Sequence, residues 1–269
     1  MTYGNQQGAA NRIAERSNFF AGKVGVITGA GSGLGRSIAR TLAAEGVSLV
    51  LFDRDARALE EVASESPGSI AIVGDVTCEV DLQRAAAEGF DKLGPANFVV
   101  TAAGILGPAE SALKLSEEEW DKVFDVNVKG TWLTLKVFVP QVRMTSAGAV
   151  VTIASRAGLC GQERLQAYSA SKAAVVMLSR SLAISHGPEG IRVNCVCPGS
   201  IETPMLEETI QAVGSEFERP SLISRMMAQY PLGRFGRAHE VAETVRFLLS
   251  EESSFITGLA LPVDGGRSA

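Results

Sequence analysis

Seven short runs of apolar residues alternate with stretches of helical period along the chain. Runs such as Leu49-Val50-Leu51-Phe52 and Phe98-Val99-Val100 are apolar at every position rather than at every second one. A strand covered on one face alternates, and a strand covered on both does not. Parallel strands need crossover connections, and helices in those crossovers cover both faces. Strands are expected over 24–28, 48–53, 69–74, 97–101, 149–154, 191–197 and 259–263. Helices are expected over 34–45, 55–66, 79–93, 116–143, 165–186 and 238–250. Gly46, Pro67-Gly68 and Gly94-Pro95 stop helices, and Ser116 with Glu119 three residues later forms a capping box. No linker interrupts this order, and 269 residues suit one large domain. The expectation is an α/β fold: a single doubly wound Rossmann domain over 21–269, with a seven-stranded parallel sheet and helices on both faces.

Residues 1–20 are largely polar, include Arg12, Glu15 and Arg16, and lack a signal-like apolar core. They read as a flexible N-terminal leader whose two phenylalanines, Phe19 and Phe20, dock on the domain. No apolar run approaches the ~20 residues of a membrane span. The net charge of −5, from 25 basic and 30 acidic residues, argues against nucleic-acid or anionic-lipid partners. The four cysteines are Cys78, Cys160, Cys195 and Cys197. The last two form a C-x-C within a strand, which points both thiols to one face of a reduced core. With only His186 and His239 as histidines, no metal site is expected. Together these features fit a reducing cytoplasm.

Thr28-Gly29-Ala30-Gly31-Ser32-Gly33-Leu34-Gly35 joins the first strand to the first helix. Glycine lets a backbone approach a ligand closely, and the helix N-terminus offers free N–H groups to a pyrophosphate. Asp53 ends the second strand 18 residues after Gly35, near the separation at which an acid reaches an adenosine ribose. A carboxylate there would repel a 2′-phosphate, and Ser32 stands where a basic loop residue would compensate. The cofactor expected is therefore NAD, although Arg54 beside Asp53 offsets part of that preference. Tyr168 and Lys172 share a helix face at i and i+4, and an ammonium close to a phenol lowers its pKa. Taken alone, that pair more often marks a solvated helix face. Ser155 lies 13 residues earlier, at the carboxyl end of the fifth strand, the edge where such sheets bind ligands.

With these motifs in this order, the chain resembles the classical short-chain dehydrogenase/reductase family over about residues 20–266. Residues 28–35 match the family's T-G-x-x-x-G-x-G, and Asp75-Val76 its adenine-side pair. Asn127, Ser155, Tyr168 and Lys172 match its catalytic residues. Pro198-Gly199-Ser200-Ile201-Glu202-Thr203 matches the P-G-x-I-x-T over the nicotinamide, and Asp264-Gly265-Gly266 the terminal D-G-G. Thr101-Ala102-Ala103-Gly104 departs from the usual N-N-A-G. Ala103 and Gly104 keep the cofactor contact, and a small loss of stability or cofactor affinity is expected.

The resemblance implies hydride transfer between NAD(H) and a secondary alcohol or ketone. Tyr168 would move the proton, Ser155 would hold the substrate oxygen, and Lys172 would bind the ribose and lower the tyrosine's pKa. Asn127 would hold a relay water, and Ile201 and Thr203 would fix the carboxamide. It also implies a homotetramer paired through the 116–143 and 165–186 helices. Substrate choice is expected from 105–109, 156–166 and a lid at about 204–230. Ile105, Leu106, Leu159, Cys160, Leu165, Met205, Leu206, Phe217, Met226 and Met227 there suit a small or medium apolar, cyclic substrate, or simply pack the lid. Arg156 and Arg164 are either anion ligands or surface residues. Two other readings stay open: an NADPH-dependent 3-oxoacyl reductase, and a non-catalytic NAD-binding redox sensor.

Overall fold

The computed structural model describes residues 19–145, 148–213 and 219–269. Six strands follow the expected β-α order: β1 (Val24–Thr28), β2 (Ser48–Asp53), β3 (Ile70–Val73), β4 (Phe98–Thr101), β5 (Ala149–Ile153) and β6 (Arg192–Pro198). Two short strands, β7 (Ile201–Glu202) and β8 (Gly236–Arg237), pair with each other, and β9 (Ala260–Val263) closes the main sheet. That sheet is parallel throughout, in the order β3-β2-β1-β4-β5-β6-β9. The expected doubly wound fold is therefore the observed one.

Alternate residues of each strand feed two cores, one per face. Ile27, Leu49, Leu51, Phe98, Val100 and Val151 face α1 (Gly33–Ala44) and a late helix numbered below as α9. Val26, Val50, Phe52, Val99 and Val150 pack on the other side against α3 (Glu79–Leu93), which follows α2 (Ala56–Ser64). Fully burying such a side chain is worth about 1.5–3 kcal/mol. Phe20 joins the first core at 3% exposure, edge-on to Phe98 with ring centres 5.6 Å apart. The expected docking of Phe19 and Phe20 is thus seen. The rest of the expected leader, residues 1–18, lies outside the described residues.

The long helix expected over 116–143 is divided. It runs as α4 (Glu117–Phe124), a π turn (Asp125–Lys129) and α5 (Gly130–Val142). The capping box at Ser116 and Glu119 is present. The π turn carries Asn127, whose side chain bonds elsewhere in the fold, a cause that helical periodicity does not show. Next come α6 (Gln166–His186), α7 (Pro204–Val213), α8 (Arg219–Met227) and α9 (Ala238–Leu249). Two of these, α7 and α8, occupy the segment that the sequence left without assigned elements.

Candidate active site

In this strand order β1 and β4 are neighbours, while the chain leaves β1 toward β2 and leaves β4 toward β5, on opposite sides. A crevice forms above the carboxyl ends at such a switch point. A cavity of about 420 Å³ lies there.

One end is the glycine turn. Gly29 has φ +67°, and a Cβ there would come 2.6 Å from the Ala103 amide nitrogen. A Cβ on Gly35 would collide with the Gly29 carbonyl oxygen. The turn therefore packs backbone to backbone on 102–103, as only glycine allows. Ser32 precedes α1, whose first turn carries no acidic side chain. An anion would thus meet the helix amides without a competing carboxylate. Ser32, Gly33, Leu34, Gly35, Asp53 and Arg54 line this end with Gly29. Gly31 is not part of the cavity wall. Its N–H donates to Asp53 Oδ2 (2.9 Å), and a Cβ there would lie 3.1 Å from that oxygen. Asp53 Oδ1 accepts from the Asp55 amide (3.1 Å). The acid is held at the loop by backbone donors and keeps lone pairs for further donors. These residues fit a dinucleotide.

Asp75 and Val76 extend the wall, and Asp75 Oδ1 accepts from the Thr77 amide and hydroxyl, both at 2.8 Å. Ala103 and Gly104 form the floor. A Cβ on Gly104 would sit 3.2 Å from both Lys172 Nζ and Asn127 Oδ1, so a side chain there would press on both site residues. Opposite stand Pro198, Gly199, Ile201 and Thr203, where the Thr203 hydroxyl donates to the Ile201 carbonyl (3.1 Å). The altered Thr101-Ala102 pair leaves a mark: the Thr101 hydroxyl is buried without a partner among the described residues.

Ser155, Tyr168 and Lys172 line the other end. Ser155 caps a 3-10 turn (Arg156–Gly158), its oxygen accepting from the Ala157 amide (3.1 Å). A Cβ on Gly158 would lie 2.7 Å from the Lys172 carbonyl carbon, so this turn rests directly on α6. Lys172 Nζ stands 5.7 Å from the centre of the Tyr168 ring. It donates to the Ile153 carbonyl at 3.0 Å. Burial pulls its pKa down to about 8, while the thiols of Cys195 and Cys197 oppose that shift. Those two sulfurs lie 4.0 Å apart, buried and unbridged, on one strand face as C-x-C spacing requires.

One expectation needs correction here. Lys172 was expected to lower the Tyr168 pKa. Instead burial raises the phenol, and only the Ser155 hydroxyl pulls it down. The buried ammonium takes the Ile153 carbonyl because a desolvated charge needs an acceptor. Asn127, expected to hold a relay water, has its side chain engaged by protein. Its Oδ1 accepts from the Ile105 amide (2.8 Å), and its Nδ2 donates to the Ile105 carbonyl (2.9 Å) and to Ser171 Oγ (3.0 Å). Its backbone carbonyl accepts from the Thr131 hydroxyl (2.8 Å). Asn127 sits behind the cavity wall and pins the strand exit at Ile105 to α6.

The buried lysine has a consequence for stability. Its pKa falls from 10.5 to about 8 on folding. Between those values the unfolded chain binds the extra proton, so stability rises with pH in that window. Relative to Lys172→Met, the native protein is expected to gain up to about 3 kcal/mol across it, and nothing below pH 8. Urea unfolding of both proteins at about pH 7.5 and about pH 10 checks this, and a constant difference contradicts it.

Of the apolar residues expected at the substrate, Ile105, Leu106, Leu165, Met205, Leu206 and Met226 line the cavity. Leu159 and Cys160 are exposed and lie off the wall, as does Met227. Phe217 lies outside the described residues. Arg156 lines the cavity, and Arg164 is an exposed residue away from it. Sequence reasoning missed Arg267, which also lines the cavity. Its guanidinium lies 5.0 Å from the Tyr230 ring centre and donates to the Tyr230 hydroxyl. Its only sequence signal is its place after Asp264-Gly265-Gly266.

A dinucleotide cradle facing a serine, a tyrosine and a lysine across one cavity belongs to the nicotinamide-dependent oxidoreductases. The comparisons with known proteins agree. A family model described as enoyl-(acyl carrier protein) reductase matches residues 29–268. Cyclohexanol dehydrogenase of Acinetobacter sp. (strain SE19) is 38% identical over 257 residues, covering 94% of this chain and 98% of that protein. L-fucose dehydrogenase of Mus musculus is 37% identical, covering 92% and 89%. The crystal structure of levodione reductase superposes with a TM-score of 0.89 at 34% identity, covering 93% of this chain and 98% of that one. The chain belongs to the short-chain dehydrogenase/reductase family and is an oxidoreductase.

Proposed function

We propose that this protein transfers hydride between NAD(H) and a secondary alcohol or ketone with a small or medium apolar, cyclic body. The observation that carries the reading is the placement of Ser155, Tyr168 and Lys172 on one cavity with the glycine turn and Asp53. Bound NAD(H) supplies the hydride acceptor or donor at its nicotinamide ring. Gly29, Ser32 and Gly35 admit the pyrophosphate to the start of α1, and Asp53 accepts from the adenosine ribose. Ile201 and Thr203 orient the carboxamide. Ser155 donates to the substrate oxygen. In oxidation Tyr168 takes the hydroxyl proton as hydride leaves the carbinol carbon, and in reduction it returns that proton to the carbonyl oxygen. Lys172 binds the nicotinamide ribose and carries its positive charge below about pH 8, and Asn127 holds the wall behind it. The apolar wall at Leu106, Leu165 and Met205, and the name of the cyclohexanol dehydrogenase relative, support a cyclic substrate. Absorbance of the reduced cofactor against cyclic and linear secondary alcohols and ketones, with NAD(H) and NADP(H) in parallel, tests the reading. Silence across the panel with NADH still bound would favour the redox-sensor alternative.

Asp53 is proposed to set the preference for NAD. Replacing it with Ala removes its brace on Gly31 for both cofactors alike, so the effect belongs in their ratio. Charge-assisted hydrogen bonds of about 1.5–3 kcal/mol correspond to a 10–100-fold fall in the NAD over NADP preference. An unchanged kcat/KM ratio in Asp53→Ala would remove Asp53 from this role.

The single catalytic domain is proposed to span 21–269, with 204–230 as a lid contributing Met205, Leu206 and Met226 to the cavity. A homotetramer is supported by Trp132, Met177 and Ile184, which leave 47%, 57% and 80% of their surface exposed on α5 and α6. Light scattering checks it. The free cysteines suit a cytoplasmic site, and no helix among the described residues is long and apolar enough to cross a membrane.

A further inference from the structure

Arg156 directly follows Ser155 and opens the 3-10 turn that rests on α6 beside Lys172. Its side chain is half-buried in the cavity wall. Its Nη1 donates to Cys160 Sγ (2.7 Å) and its Nη2 to Gln162 Oε1 (3.0 Å), both neutral acceptors. Among the described residues it makes no ion pair, whereas Arg36, Arg84, Arg143, Arg234 and Arg246 each meet a carboxylate. A guanidinium has five N–H donors, and two are engaged here. The Nε–H and one N–H on each terminal nitrogen have no protein partner among the described residues. The group is thus held in place, set into a partly desolvated wall, and left without a counter-charge. Arg267, the other arginine toward the lid, differs because it is stacked on Tyr230 and serves as a brace.

We propose that Arg156 binds a carboxylate carried by the substrate at a distance from its reacting carbon. The substrate class is then an apolar hydroxy acid or its keto acid, with the carbon body against Leu106, Leu165 and Met205. Planar guanidinium donors match a carboxylate in pairs, which fixes orientation as well as charge. A buried ion partner strengthens as water is excluded, so the arginine selects for the anion and against a neutral ester of the same shape. Cys160 and Gln162 act as positioning residues that hold the guanidinium to the wall.

This inference rests on the alcohol and ketone reading above, and the test separates the two. The probes are 3- and 4-oxocyclohexanecarboxylate and their methyl esters, reduced with NADH. In the native protein kcat/KM for one carboxylate isomer is expected to exceed that for its ester about 100-fold, mostly through KM. That ratio corresponds to about 2.7 kcal/mol. In Arg156→Gln the ratio is expected to fall close to one, while Arg156→Lys, a point charge without the fork, retains part of it. NADH binding by each variant confirms folding. Ester turnover with no carboxylate preference in the native protein overturns the proposal and leaves the alcohol and ketone reading standing. So does a preference that survives Arg156→Gln. If none of these ketones is reduced, the alcohol and ketone reading fails instead. Calorimetric titration of the carboxylates into the native protein and Arg156→Gln then decides the arginine's role: equal affinities, or no binding, overturn it.

Discussion

Tyr168→Phe is expected to bind NADH as the native protein does and to lose turnover by about 10³-fold or more. The substitution removes one oxygen and no packing volume. Tyr168 is 8% exposed on α6, so the ring keeps its place and the cavity its shape. What disappears is the group that exchanges a proton with the substrate oxygen, and a positioned acid or base contributes about 10²–10⁴-fold. Burial holds the phenol above its ordinary value, with the Ser155 hydroxyl working the other way. Oxidation needs the deprotonated phenol and reduction the protonated one. Oxidation is therefore expected to rise toward alkaline pH, and reduction to persist there until the phenol titrates. Stopped-flow single turnovers separate the chemical step from cofactor release. Turnover within tenfold of the native protein would remove Tyr168 from the proton step.

Gly29→Ala is expected to weaken dinucleotide binding at least 100-fold and to destabilise the fold. Two penalties coincide. At φ +67° an alanine is held in left-handed backbone, at roughly 1–2 kcal/mol. Its Cβ would also stand 2.6 Å from the Ala103 amide nitrogen and 2.7 Å from the Ala103 Cα. Backbone on both sides cannot move aside as a flexible side chain would. The turn must lift from the β4 exit, which takes the start of α1 and the ribose-side floor at Ala103 out of register together. Quenching of protein fluorescence by NADH gives the affinity, and urea unfolding gives the stability. Affinity within threefold of the native value would show that the turn adjusts without cost and that the close packing on Ala103 is unimportant.

The fate of Asn127 shows where reading along the chain stopped. Its position in Val126-Asn127-Val128 marks it as a site residue, but its partners, Ile105 and Ser171, lie 22 and 44 residues away. Nothing local announces that these contacts divide a helix with a π turn. The Lys172 ammonium is a similar case. The i, i+4 spacing places it on the Tyr168 face, yet the Ile153 carbonyl, 19 residues away, takes its hydrogen bond. Arg156 and Arg164 look alike in sequence, and only packing puts one on the cavity wall and the other in solvent. The 198–238 segment reads as irregular because α7 and α8 are short, at ten and nine residues.

Strand positions, the glycine turn, Asp53 and the Ser155–Tyr168–Lys172 set could all be read from residue type and spacing. Each depends on local geometry: a continuously apolar run, a positive φ, one turn of helix. Protonation behaviour, the partners of Asn127, and which arginine reaches the cavity wall depend on desolvation and on partners distant in the chain. Those quantities come into being only when the sheet, α6 and the 3-10 turn close on one another.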